Sequence, residues 1–147
     1  EYLDGLTLAE LVAHSGPVPA GRVIHILRQV GAALREAHLR GMIHRDVKPE
    51  NVMLGDFGET LILDWGLARE TGDPPEAEPG MRTRLRAPKV GSSTLTMEGD
   101  VLGTPAYMPP EQATGQREIG PAADVYSLGA VLYACLTAGV FGWLWPQ

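Results

Sequence analysis

Cysteine is almost missing from these 147 residues: Cys135 stands alone. That excludes an internal disulfide and a thiolate zinc site, and makes a reducing, intracellular setting the default. Positive charge is scarce too. Twelve Lys and Arg against eighteen Asp and Glu leave a net charge of -6, the wrong sign for a general nucleic-acid binder, so no nucleic-acid partner is expected. No basic-then-apolar leader opens the chain, and a cytoplasmic location is the expectation. No internal repeat is visible, and no G-x-G-x-x-G phosphate loop occurs anywhere. What is present is globular in kind: 44% of residues are hydrophobic and 20% charged, over a length that suits one domain rather than two. The opening "EYLDGLTL" reads like the interior of a domain, as if the N-terminus were a cut.

One stretch has no charge at all. From Val125 to Trp145 the sequence "VYSLGAVLYACLTAGVFGWLW" is long enough to span a bilayer. The competing reading is a buried helix ending near Gly139 with an apolar tail. Periodicity alone leaves both open.

Elsewhere the elements are plainer. Thr7 and Glu10 have capping-box spacing, which predicts a short helix over about 7–14, ended by Gly16-Pro17. Pro19 suits the opening of a second helix. Val23, Ile26, Leu27, Val30, Leu34 and Ala37 then recur at helical spacing to about Arg40, with Gly41 as the stop. His25 and His38, on or near this helix, read as packing or surface residues. Val52–Leu54 and Thr60–Leu63 are β-prone, and "GDFGE" between them predicts a hairpin. Residues 71–100 have no periodicity and read as a long functional or disordered loop. Pro121-Ala122 starts an apolar helix, with Val125, Leu128, Val131, Leu132 and Leu136 expected on its buried side.

The chemistry concentrates in "HRDVKPENVML", His44 to Leu54. Asn51 precedes the first hairpin strand and Asp64 follows the second, so antiparallel pairing brings both to one end. An amide and a carboxylate there suit Mg²⁺, a hard cation that takes one or two protein oxygens beside phosphates and water. Asp46 and Lys48 lie in the loop leading to that point. A carboxylate can accept a proton from an attacking hydroxyl, and an ammonium can neutralise a transferring phosphoryl group. A literal "DFG" at Asp56–Gly58 is a decoy. It lies at the turn end, about 10 Å from the ligand end at ~3.3 Å per residue, whereas a Mg–O bond is ~2.1 Å.

Five stretches, in order, resemble the protein kinase family, and bacterial (eukaryotic-like) Ser/Thr kinases in particular. "EYLDGLTL" is similar to the hinge and the helix after it. "HRDVKPEN" resembles the catalytic loop. "DWGLAR", Asp64 to Arg69, resembles the DFG segment with Trp for Phe. "GTPAYMPPEQA", Gly103 to Ala113, resembles the end of the activation segment, with "PPE" for "APE". "DVYSLGAVLY", Asp124 to Tyr133, looks like the central helix of the large lobe. The resemblance implies an α+β fold: a large-lobe fragment over residues 1–147, mainly α-helical with a short β-hairpin, the small lobe and C-terminal helices absent. It also weighs against the membrane reading, because Asp124 in its family role draws that segment into a soluble core.

The same resemblance implies the site. ATP and Mg²⁺ are the expected cofactors, and a protein Ser/Thr the expected substrate. Asp46 would be the catalytic base, Lys48 would contact the γ-phosphate, and Asn51 and Asp64 would hold Mg²⁺. Thr104 would steady Asp46 and Lys48. Glu1 and Leu3 would offer hinge backbone to adenine, and Met53 would pack beneath it. His44 and Trp65 would join the apolar stack coupling the lobes. Asp124 would accept hydrogen bonds from the catalytic-loop backbone. Arg45 would pair with a phosphorylated activation loop, at Ser92, Ser93, Thr94 or Thr96, with Glu98 as a standing negative charge. Glu111 would pair with an Arg beyond this segment.

Departures from the pattern leave alternatives open. The V-A-I-K-type lysine and its Glu partner are absent, and "TAGVFGWLWPQ" replaces the usual Gly-x-x-Pro-Phe turn, as a truncation or a shifted frame would. One reading is a Ser/Thr kinase catalytic region that works only in a longer chain. A second is a non-catalytic remnant or pseudokinase acting as a binding module. A third is a small-molecule phosphotransferase, disfavoured by "GTPAYMPPEQ", which resembles protein-substrate docking.

Overall fold

A computed structural model describes residues 5–70, 105–116 and 118–139. Its elements are β1 (Leu6–Thr7), α1 (Leu8–Ser15), α2 (Ala20–Leu39), β2 (Met42–Ile43), β3 (Val52–Leu54), β4 (Thr60–Ile62), β5 (Arg69–Glu70), α3 (Pro110–Ala113) and α4 (Ala122–Thr137). Three single 3-10 turns, Pro49–Asn51, Trp65–Leu67 and Pro105–Tyr107, complete the order. The arrangement is helices around a small antiparallel sheet.

The capping box forms as spaced. Glu10 N–H donates to Thr7 Oγ1 at 3.1 Å, and Thr7 N–H donates to the Glu10 carboxylate at 2.8 Å. Thr7 thereby serves as N-cap of α1 while its backbone pairs in β1 opposite Met53. Gly16, at φ +68, ends α1. Pro19 is the N-cap of α2, just outside the helix. Gly41, at φ +76, follows the α2 C-cap, its N–H donating to His38 O at 2.9 Å.

β3 and β4 form the expected hairpin in the register Val52 opposite Ile62 and Leu54 opposite Thr60. β1 joins β3 on its other edge, giving the order β1-β3-β4. Gly5 permits that approach: a Cβ there would sit 2.7 Å from the Leu54 carbonyl oxygen. A separate pair joins β2 to β5, Ile43 opposite Arg69. These two-residue strands were not read from the sequence.

The core takes Val23, Ile26, Val30 and Leu34 from one face of α2. Leu8 and Leu11 of α1, Val18, Val47, Val52, Val131 and Cys135 complete it. Gln29 ties α2 to the hairpin: its amide nitrogen donates to Gly58 O at 3.0 Å and its oxygen accepts Thr60 N–H at 3.1 Å.

The buried face of α4 differs from expectation. Val125, Leu132 and Leu136 are exposed, at 64%, 38% and 41%. Val131 is buried as expected and Leu128 packs against the core, but the rest of the buried face is Ala123, Asp124, Ser127, Ala130, Ala134 and Cys135. The helix is apolar nearly all round, so periodicity does not choose a face, and polar anchors do. Ser127 Oγ donates to Tyr107 O at 2.8 Å, and Asp124 is bonded into the turn after β2. α4 spans 16 residues, and among the described residues no helix is long and apolar enough to cross a membrane. Residues 140–145 of the candidate span lie outside the described residues.

Candidate active site

The turn after β2 is where the chain leaves ordinary geometry. Arg45 adopts φ +68, a left-handed conformation that a bulky residue holds only when its surroundings over-determine it. The surroundings do so. Asp124, fully buried, accepts His44 N–H at 2.9 Å on Oδ2 and Arg45 N–H at 2.8 Å on Oδ1. On the other side Gln112 of α3 donates its amide to Arg45 O at 2.9 Å. Helices α3 and α4 thus hold Arg45 by both its backbone N–H and its carbonyl, directly before Asp46.

His44 is buried and satisfied as a neutral ring. Its Nε2 donates to Leu63 O at 3.0 Å, and Asp46 N–H donates to Nδ1 at 3.3 Å, so the proton resides on Nε2. Burial holds its pKa below the ordinary 6.5, against an upward pull from the Leu63 carbonyl and from Asp124, Asp46 and Asp64. Trp65 packs on this ring, centroids 4.5 Å apart and planes tilted by 58°.

Asp46, Lys48 and Asn51 converge. Lys48 Nζ lies 2.8 Å from Asp46 Oδ2. Asn51 donates Nδ2 to Asp46 O at 2.8 Å and to Oδ2 at 3.2 Å. Asn51 is buried, and the Lys48 and Asp46 side chains are only 20% and 10% exposed. A lysine that far from water is stabilised by an adjacent carboxylate. The Pro49–Asn51 turn delivers Asn51 directly into β3.

Leu63 N–H donates to Asn51 O at 2.7 Å, which closes the open end of the hairpin and puts Asp64 one residue beyond it. Asp64 is itself left-handed, at φ 56, and its Oδ1 accepts Gly66 N–H at 3.3 Å. Among the described residues no group of three or more His, Cys, Asp or Glu is arranged to hold a metal. The pair expected at the hairpin end, Asn51 and Asp64, is smaller than such a group. Asp56 sits in the turn at the far end, beside a Phe57 that is 96% exposed.

A family model described as protein kinase domain matches residues 1–141. This chain belongs to the protein kinase domain family. It is 37% identical over 137 residues to the serine/threonine-protein kinase PknL of Mycobacterium tuberculosis (strain H37Rv), covering 93% of this chain and 29% of that protein. To the serine/threonine-protein kinase PknB of Mycobacterium leprae it is 38% identical over 137 residues, 93% of this chain and 19% of the relative. PknB of Mycolicibacterium smegmatis gives 37% over the same length and 19% of its own. The kinase-family chain therefore spans less than a third of the curated relatives it matches.

Within the kinase-family chain, Asp46, Lys48 and Asn51 bond to one another, His44 stacks on Trp65, and Asp124 bonds the turn before Asp46. Met53 lies in β3, half-buried, and Glu111 lies in α3, half-buried. Glu1, Leu3, Ser92, Ser93, Thr94, Thr96, Glu98 and Thr104 lie outside the described residues, as does the whole 71–104 stretch. Two residues of this neighbourhood were missed in the sequence: Gln112, and His38, whose Nε2 lies 2.7 Å from Asp124 Oδ2. Nothing local signals that the first is buried and bonded to Arg45 O. Nothing local signals the second.

Proposed function

We propose that this chain is the catalytic region of a bacterial serine/threonine kinase, transferring the γ-phosphate of ATP to protein Ser/Thr hydroxyls within a longer polypeptide. The observation that carries the reading is how one carboxylate is bonded. Lys48 Nζ and Asn51 Nδ2 both fall on Asp46 Oδ2. Oδ1 is therefore the oxygen we assign to the substrate hydroxyl, where it takes the proton as the hydroxyl attacks phosphorus. Lys48 holds its charge beside that point and neutralises the transferring group.

Asn51 spends its amide nitrogen on Asp46, which leaves Oδ1 as a hard oxygen donor. Asp64 adds a carboxylate from across the hairpin end. That pair fits Mg²⁺, which when bound would offset negative charge on the ATP phosphates. Met53 offers an apolar floor to adenine, and the hinge backbone of Glu1 and Leu3 its polar edge. Thr104 steadies the Asp46–Lys48 pair. Arg45 receives a phosphate added at Ser92, Ser93, Thr94 or Thr96, which orders the activation segment by charge-assisted bonds. Glu111 pairs with an Arg of the chain beyond residue 147. ATP places the reaction in the cytoplasm.

The small lobe and C-terminal helices belong to the rest of that longer polypeptide. Without a glycine-rich loop or a V-A-I-K-type lysine in its own 147 residues, the segment by itself binds ATP weakly and transfers negligibly. The test uses the longest natural chain that carries the segment. Labelled γ-phosphate is followed from ATP to a protein acceptor. Asp46→Asn should lower kcat about a hundredfold or more, with the KM for ATP little changed. Full activity in that variant would remove Asp46 as base. No transfer by the unmutated long chain would leave the binding-module reading in its place.

A further inference from the structure

The peptide unit directly before Asp46 consists of the Arg45 carbonyl and the Asp46 N–H. The bonds from Asp124 stop short of it. They take the N–H groups of His44 and Arg45, which belong to the two peptide units before. The last unit is held from another side. Gln112 of α3 donates Nε2 to Arg45 O at 2.9 Å, across 67 residues of sequence. At the other end of the same unit, Asp46 N–H donates to His44 Nδ1 over a longer 3.3 Å. Gln112 is buried, at 7% exposed, so its amide is directed inward rather than to water.

That unit follows a residue held left-handed, Arg45 at φ +68, a conformation that persists where neighbours impose it. A peptide whose carbonyl is fixed cannot rotate about its long axis. Take the Gln112 donor away and the carbonyl is driven toward another partner. The rotation that finds one draws Asp46 N–H off His44 Nδ1 and unlocks φ of Asp46. Gln112 can hold its end because α3 is itself braced. Met108 and Pro109, just before it, are buried, and Tyr107 O accepts Ser127 Oγ of α4 at 2.8 Å.

We propose that Gln112 is a positioning residue for phosphoryl transfer: its amide fixes the peptide unit from which Asp46 projects, so that α3 and the base are set as one piece. The catalytic half rests on the assignment of Asp46 as base. Positioning through a neighbour matters because small displacements of a reacting group are amplified in rate.

The test uses the long natural chain and two readouts. One is amide hydrogen exchange at Asp46. The other is kcat against the KM for ATP, measured well below the melting temperature of each variant. Gln112→Met keeps the length of the side chain and removes the donor. It should speed exchange at Asp46 and lower kcat about ten- to a hundredfold, with the KM for ATP near its starting value. Gln112→Glu keeps the shape but, ionised, has no hydrogen to give; protonated, it has one. Burial raises the pKa of such a carboxyl. This variant should be impaired at about pH 8.5 and regain kcat, relative to the parent at equal pH, toward about pH 6.5. Where one of the two variants does not fold, the other decides. Unchanged exchange in Gln112→Met overturns the proposal. So does parent-like kcat of Gln112→Glu at the higher pH, because packing alone asks only for that shape, and so does equal impairment of it at both pH values. Faster exchange with unchanged kcat removes the catalytic half. Full transfer by Asp46→Asn overturns the base assignment and the catalytic half with it.

Discussion

His44 shows how much one buried side chain can be made to hold. Its two nitrogens join the hairpin end to the turn before Asp46, one as donor and one as acceptor. A second proton would face the Asp46 N–H, so the folded chain resists it. The pKa is accordingly lowered from 6.5, with burial as the main cause. When a folded pKa is depressed, stability is whole above the unfolded value and is lost as pH falls from there through the folded pKa. The chain should therefore unfold at lower urea at pH 5.5 than at pH 7.5. His44→Gln should show a shallower difference, since it has no proton to take up. Equal pH dependence in the two proteins would refute this account. At this scale the sequence was informative where partners are neighbours. Asp46, Lys48 and Asn51 fit within six residues, so a loop brings them together whatever else the chain does. The role of Asp124 came only through resemblance. His38 and Gln112 were invisible because their partners lie 86 and 67 residues away, and no local pattern encodes such a distance.

Elements were legible in proportion to their length and to their polar marks. α2 announced itself by a long apolar stripe with a proline before it and a glycine after. α1 is only eight residues, too short to be stable by propensity, and its cap makes the difference. Thr7 Oγ1 is the acceptor for the Glu10 N–H, one of the donors that a helix start leaves unpaired. Thr7→Ala should cost about 1 kcal/mol, read as a lower urea midpoint. Thr7→Ser keeps the hydroxyl and should lose much less. A Ser variant as weak as the Ala variant would mean that the methyl group, not the cap, matters there. The strands β1, β2 and β5 have two residues each, fewer than one full alternation, so no pattern could reveal them. α4 existed in the sequence but its orientation did not. Large apolar residues suggested one face, while a buried aspartate, a serine and small residues set another. Those small side chains let α4 come close while its polar anchors hold the rotation.

At the scale of the molecule, α2 is the member to which the other parts are fastened. Gln29 joins it to the hairpin, and His38 joins it to α4 through Asp124. α4 is fixed a second time where Cys135 O accepts the Val18 N–H at 2.8 Å, which ties it to the linker between α1 and α2. The rotation of α4 therefore decides whether the turn before Asp46 is held, and two valines on that helix measure the rotation. Val131 is fully buried in the core and Val125 is 64% exposed. Val131→Ala removes two methyl groups from a packed site and should cost about 2 kcal/mol or more in the 147-residue chain. Val125→Ser should stay within about 0.5 kcal/mol, as surface changes do. Urea unfolding of both variants beside the parent chain gives the comparison. If Val125→Ser costs as much as Val131→Ala, α4 is turned as its apolar pattern suggests, and Asp124 no longer faces the turn it is drawn to hold.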